Sequence, residues 1–403
     1  MKIIKDKFII MDGFLGESFY SGVKKKRDDL MLVKFPDGAV SAGVFTTNIT
    51  KAAPVVVSLT NLASDKIYGL VVNSGNANAC TGKQGMDDAI TMCESAAKAI
   101  GCSSKNILIA STGIIGKVLE MDKIAPAIES GFINISKDGM DNISKGIITT
   151  DTFEKKCSVQ FYVGGKLATV SGVSKGSGMI HPNMATMLGF AFTDVDISKE
   201  MLQAALDEVT LDTFNMISVD GDTSTNDTVF AFSSGKLKNK VIDSYGDDFD
   251  NFKVALNALS KELSMMIAKD GEGATKLLQV TLSGCDNEAC AKLLAKSVIA
   301  SSLVKAAFFG NDANWGRIIC ALGYSGGKFD PEKVDLAFSS VNGSIELMKS
   351  GAPIDFSEAT ALKVLQTDEI DILINLNDGD KSAVAWGCDL TYDYVKINGD
   401  YRS

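Results

Sequence analysis

Lys175-Gly-Ser-Gly-Met-Ile-His-Pro-Asn-Met-Ala-Thr-Met-Leu-Gly189 decides how the rest of this 403-residue chain is read. A β-branched run over 167–170 precedes it and an apolar run over 187–192 follows, so the stretch joins two predicted strands. Gly176 and Gly178 let the backbone take angles that other residues avoid. Read as plain structure, this is a turn whose Thr186 opens a strand, a position threonine favours. Read as chemistry, the same turn sets a hydroxyl beside the small residue Ala185, where a bent backbone can bring oxygen and carbonyl together. The two readings differ only in whether the Ala185–Thr186 bond survives.

Outward from this stretch, strand and helix patterns alternate without an obvious linker. Runs over 159–163 and 167–170 flank Gly164-Gly165, a hairpin signal. Short runs over 55–59, 70–73 and 106–110 predict buried strands. Residues 84–100 carry Met86, Ala89, Ile90, Cys93, Ala97 and Ile100 at helical spacing, with Gly101 as the stop. Downstream, Ser198 caps a predicted helix through about 209, and Phe249, Phe252, Leu256, Leu259, Leu263 and Ile267 mark a long amphipathic helix. A strand over 277–282, a helix over 287–307 and strands over 334–338, 370–374 and 382–389 complete the pattern. The class this implies is α/β or α+β, with mixed sheets and packed helices.

Composition narrows the partners. Forty basic residues against fifty acidic ones give a net charge of −10. The one basic run, Lys24-Lys25-Lys26-Arg27, is a poor basis for binding nucleic acid or an anionic membrane. No apolar stretch approaches the ~20 residues a spanning helix needs, and residues 1–13 are too short in their apolar part for a signal peptide. Eight scattered cysteines without a Cys-x-x-Cys pair suit a reducing compartment, so a cytoplasmic location is expected and no metal site is predicted. A small molecule is the expected partner.

A catalyst built from this sequence must work almost without imidazole, because His181 is the only histidine. Threonine at a new N-terminus supplies nucleophile and base in one residue. Its α-amine, with a reference pKa of about 7.7–8.0, stands beside its own hydroxyl. To free that amine, the Thr186 hydroxyl must first attack the Ala185 carbonyl and form an ester, which water then cleaves.

The stretch 175–188 resembles the cleavage motif of the ornithine acetyltransferases, the bifunctional glutamate N-acetyltransferases of arginine biosynthesis. Seven further strings match that family in order: residues 42–55, Asn73–Gly82, Ser111–Gly116, Thr149–Thr152, Asp220–Asp227, Asp270–Lys276 and Asn314–Arg317, with the tail Asn398–Ser403 after them. The resemblance implies the self-cleaving DmpA/ornithine acetyltransferase-like fold, cut into an α chain of 1–185 and a β chain of 186–403. It also implies a cytoplasmic heterotetramer, a dimer of cleaved pairs. Thr186 would then be the nucleophile that carries acetyl from N2-acetylornithine to glutamate. Thr112 and Gly113 match the oxyanion hole. Thr152, Lys175, Glu272, Asn398 and Ser403 match substrate-binding positions alongside Thr186. A lysine suits the substrate carboxylate and a glutamate its cationic amine. No resident cofactor is implied, and whether acetyl-CoA is a second donor is left open.

His181 stands where the family usually has a small residue. It reads as a polar turn residue with the capacity to tune the pH dependence of cleavage or transfer. Two other readings compete: a self-cleaving amidase or aminopeptidase that passes the acyl group to water, and an uncleaved amino-acid-binding protein. The strings Gly271–Lys276 and Asp220–Ser224 lack the spacing of a phosphate-binding loop and of a calcium loop, respectively.

Overall fold

The computed structural model describes residues 1–181 and 187–400. Two compact units divide them. Of the described residues, the first holds 1–176, 187–214 and 223–263, and the second holds 177–181, 215–222 and 264–400.

In the first unit a nine-stranded mixed sheet is built around the long strand Leu30–Phe45. Its first half pairs with Leu15–Phe19 and Ile67–Asn76, and its second half pairs with Thr228–Ser233. Beyond Ile67–Asn76 lies the parallel strand Ile107–Ile114. Beyond Thr228–Ser233 lie Leu188–Thr193, Lys166–Lys175, Lys155–Val163 and Lys2–Lys5. The register irregularity between Lys34 and Ala39 marks the change of partner.

The run Leu30-Met-Leu-Val33 is apolar on both faces because both faces are covered. Met31 and Val33 join a core with Phe35, Leu70, Leu108, Phe190, Phe192, Phe230 and Phe232. Leu30 and Leu32 join another beneath the helices Gly82–Ile100 and Met121–Asn134. Gly101 ends the first of these helices in the left-handed conformation, as its sequence position predicts.

The second unit carries a seven-stranded sheet in the order Ala352–Pro353, Gly343–Lys349, Asp335–Ser340, Glu369–Asn375, Leu277–Cys285, Lys381–Cys388, Ile217–Ser218. Helix Glu288–Ala300 packs on the strands Leu277–Cys285 and Lys381–Cys388. The mixed α/β class expected from the sequence is the one found.

Two predicted elements are corrected. The run 55–59 lies within a helix, Ala53–Asn61, and is not a strand. Pro54 presets the first turn, and burial falls on Val55, Ser58 and Asn61 while Val56 and Leu59 face out. The Ser58 hydroxyl donates to the Ile109 carbonyl at 2.7 Å and Asn61 Nδ2 donates to that of Ile107 at 2.8 Å, so polar side chains dock this helix on its strand. The helix expected over 287–307 is broken at Ser301, which ends Glu288–Ala300 and caps Ser302–Phe309.

Candidate active site

The first unit gathers Thr112, Gly113 and Lys175. Thr112 and Gly113 sit near the end of the strand Ile107–Ile114, where its register with Ser74–Asn76 becomes irregular. Gly113 has φ +133°, and a Cβ there would lie 2.2 Å from the Gly75 carbonyl carbon. Only glycine fits, because the strand comes this close to its neighbour at a positive φ. Beside it, Ser111 Oγ donates to Asn73 Oδ1 at 2.5 Å, and Asn226 Nδ2 donates to the Ser111 carbonyl at 2.9 Å. Asn76 beside it is fully buried, and its Oδ1 has no hydrogen-bond partner.

Lys175 ends its strand and pairs in register with Leu188, so residues 176–187 connect two neighbouring antiparallel strands. The Lys175 side chain is buried and its Nζ lies 3.4 Å from Thr112 Oγ1. Next to it is Asp151, whose Oδ1 accepts from Lys155 Nζ at 2.6 Å and from the Gly176 amide at 2.8 Å. Its Oδ2 accepts from the Thr149 amide at 2.8 Å. The Lys155 and Asp151 side chains are both fully buried. Burial pushes the Asp151 carboxyl up, but the Lys175 and Lys155 charges, with hydrogen bonds from Lys155 and Gly176, hold it below the ordinary carboxylate range.

A third cation lies nearby. Lys24 Nζ donates to Ser74 Oγ at 2.5 Å and to the Ile148 carbonyl at 2.6 Å. Burial first, and then the Arg27 charge, lower its pKa to about 8. Thr152, one residue beyond Asp151, is exposed.

The second unit gathers Glu272 and Asn398. Glu272 is buried and accepts from Asn398 Nδ2 at 2.8 Å, while its own amide donates to the Ser177 carbonyl at 2.9 Å. A Cβ on Gly178 would stand 2.3 Å from the Glu272 carboxylate, so this glycine leaves the acid its room. The C-terminal helix Tyr392–Gly399 is fixed at its start by Thr391, whose hydroxyl donates to the Gly273 carbonyl at 2.7 Å. Asp389 holds the string before it by accepting from the Thr275 and Lys276 amides at 2.8 and 3.0 Å.

Asp220 pins the segment ahead of the predicted cleavage point, accepting from the Met179 amide at 2.6 Å and the Ile180 amide at 2.9 Å. His181 Nδ1 lies 3.0 Å from Ser218 Oγ. Burial and the Lys296 charge lower its pKa to about 4 against the opposing pull of Asp220, so its ring is neutral at pH 7.

Ala185, Thr186 and Ser403 lie outside the described residues. Of the remaining candidates, the structure joins Thr112 to Lys175 and Glu272 to Asn398. The sequence reading missed Asp151, Lys155, Lys24 and Asp220. Asp151 and Lys155 stand four apart around the Thr149–Thr152 string, and Lys24 opens the one basic run, but neither pattern signals burial. Among the described residues, one group has metal-ligand chemistry: Cys285, Asp286 and Cys290, whose ligand atoms lie within 4.8 Å of one another. No helix among the described residues is long and apolar enough to cross a membrane.

Comparison with known proteins decides the family, because the ArgJ family profile matches residues 16–403. The chain belongs to the ArgJ family. ArgJ relatives match it from end to end. The arginine biosynthesis bifunctional protein ArgJ 1 of Clostridium acetobutylicum is 50% identical over 384 residues, covering 95% of this chain and 94% of the relative. ArgJ of Caldanaerobacter subterraneus subsp. tengcongensis is 45% identical over 403 residues, covering 100% of both. A crystal structure of ArgJ from Bacillus halodurans is similar at 46% identity and a TM-score of 0.51, with 53% of this chain covered by 99% of that one.

Proposed function

We propose that this ArgJ-family enzyme cuts itself between Ala185 and Thr186 and then moves acetyl from N2-acetyl-L-ornithine to L-glutamate on the Thr186 hydroxyl. In cleavage, Thr186 Oγ attacks the Ala185 carbonyl and the peptide nitrogen leaves. Water hydrolyses the resulting ester, leaving a carboxylate on Ala185 and a free amine on Thr186. In transfer, that amine takes the hydroxyl proton as Oγ attacks the acetyl carbonyl, and ornithine departs with the proton on its nitrogen. The glutamate amine then attacks the acetyl ester and releases Thr186.

Each step passes through an oxyanion, for which Thr112 and Gly113 provide the donors. Lys175 receives the substrate carboxylate and Glu272 its cationic amine, with Thr152, Asn398 and Ser403 completing the set. The observation that carries this reading is the buried Lys175 ammonium 3.4 Å from Thr112, which sets a cation for a carboxylate beside the oxyanion turn. Further support comes from the solved relative, whose chain covers 53% of this one. A fragment beginning at Thr186 would also hold a little over half of the 403 residues.

The cleaved pairs assemble as a heterotetramer in the cytoplasm. The chemistry needs no resident cofactor. The relatives' shared description as bifunctional supports acetyl-CoA as a second donor to the same hydroxyl.

Incubation with N2-acetylornithine alone, then quenching in acid, is expected to leave one acetyl group on the peptide that begins at Thr186. Addition of glutamate should discharge it as N-acetylglutamate. No acetylated peptide would overturn the reading, and discharge to acetate as fast without glutamate as with it would make the enzyme a hydrolase.

A further inference from the structure

The three chain segments that meet at Asp151 give it a role in the site beyond that of a counter-ion. Its carboxylate accepts from the Thr149 amide in its own loop, from Lys155 Nζ on the next strand, and from the amide of Gly176, the residue that follows Lys175. The last bond fixes the backbone at the end of the strand Lys166–Lys175. We propose that Asp151 is a positioning residue of the acyl-transfer site, holding the Lys175 ammonium where the substrate carboxylate binds. The inference rests on the reading above that Lys175 receives that carboxylate.

The charges support it. Asp151, Lys155 and Lys175 are all buried and together carry a net charge of +1. The Lys175 and Lys155 charges both act on the Asp151 carboxylate, so the aspartate lowers the cost of keeping the Lys175 ammonium charged in a buried place. Without the aspartate, the two buried lysines would lose the anion on which both charges act, and Lys175 would turn away or lose its proton. Burial, with the Arg27 charge behind it, acts in this direction on the neighbouring Lys24, whose pKa falls to about 8. A purely structural aspartate would need only Lys155. The Gly176 amide, one residue beyond Lys175, also donates to Asp151, and that bond ties the carboxylate to the end of the Lys175 strand.

The test asks what the enzyme recognises, so a partly destabilised variant still answers it. N2-acetylornithine and N-acetyl-1,4-diaminobutane, the same molecule without its carboxylate, are compared as acetyl donors in single preparations of wild type and Asp151→Asn. The wild type is expected to prefer the carboxylate-bearing donor strongly in kcat/KM. Asp151→Asn is expected to lower that preference at least ~10-fold, mainly through KM for acetylornithine, because a charge-assisted contact is loosened. Asp151→Asn/Lys155→Met removes both charges of the buried pair together and should show the same reduced preference.

Equal losses for both donors, with the preference intact, would overturn the inference and leave Asp151 a structural counter-ion. So would full recovery of the preference in the double variant. A wild type that transfers acetyl from neither donor would instead sink the functional reading itself, and the wild-type control separates that failure from the others.

Discussion

Asp151 and Asp220 each hold part of the segment leading to the predicted cleavage point, in contrasting surroundings. Asp151 takes the Gly176 amide from a dry place between two lysines. Asp220 takes the Met179 and Ile180 amides while half-buried, with the Tyr394 hydroxyl 3.3 Å away. Tyr394 stays a protonated donor there, since burial and then the Asp220 charge push its phenol up. One anchor is electrostatic, and its partners cannot be replaced by water. The other uses neutral donors that water can reach. The difference teaches which end of the segment is fixed by charge and which by hydrogen bonds alone.

The largest expected effect is on the electrostatic side. Asp151→Ala removes the buried ion pair with Lys155 and should cost about 3–5 kcal/mol of unfolding free energy by denaturant titration. A cost near 1 kcal/mol would mean that water reaches the cations and would erase the contrast. In the same unit, Gly113→Ala sets a methyl 2.2 Å from the Gly75 carbonyl carbon and must displace the irregular strand end that carries the proposed oxyanion donors. It should lower kcat about 100-fold with a much smaller change in KM.

Asp220→Ala should cost less, about 1–2 kcal/mol, because its amides can turn to water. A loss equal to that of Asp151→Ala would show the second anchor to be just as dry. The smallest effect sharpens the Asp220 side. With its pKa lowered to about 4, His181 binds a proton less readily folded than unfolded. Its contribution is therefore complete above about pH 6.5 and fades as pH falls toward 4. His181→Gln should flatten the fall in Tm between pH 6.5 and 4 and leave the pH profile of transfer near neutrality unchanged. A transfer profile that shifts near pH 7 would restore the tuning role the sequence suggested.

Much of the fold was legible where one face decides the pattern. Phe249 to Ile267 lies on a helix, and Gly164-Gly165 closes a hairpin between Lys155–Val163 and Lys166–Lys175. The valines at 55–57 misled because strand preference is weak evidence beside Pro54 and the polar docking of Ser58 and Asn61. Thr112, Gly113, Lys175 and Glu272 were singled out through resemblance, since a lysine or glutamate in isolation reads as a surface charge. Glu272 is instead buried against Asn398. Asp151 was missed for a physical reason: its partners stand at 149, 155 and 176, and only the folded sheet brings Gly176 to it.

For Thr186 to act with its own amine, the bond before it must break. Intact mass of the purified chain under denaturing conditions tests this directly, with Thr186→Ala as the control. Two fragments with masses for residues 1–185 and 186–403 are expected from the wild type, and one uncut chain from the variant. A wild-type preparation that transfers acetyl at full rate as a single continuous polypeptide would contradict the mechanism.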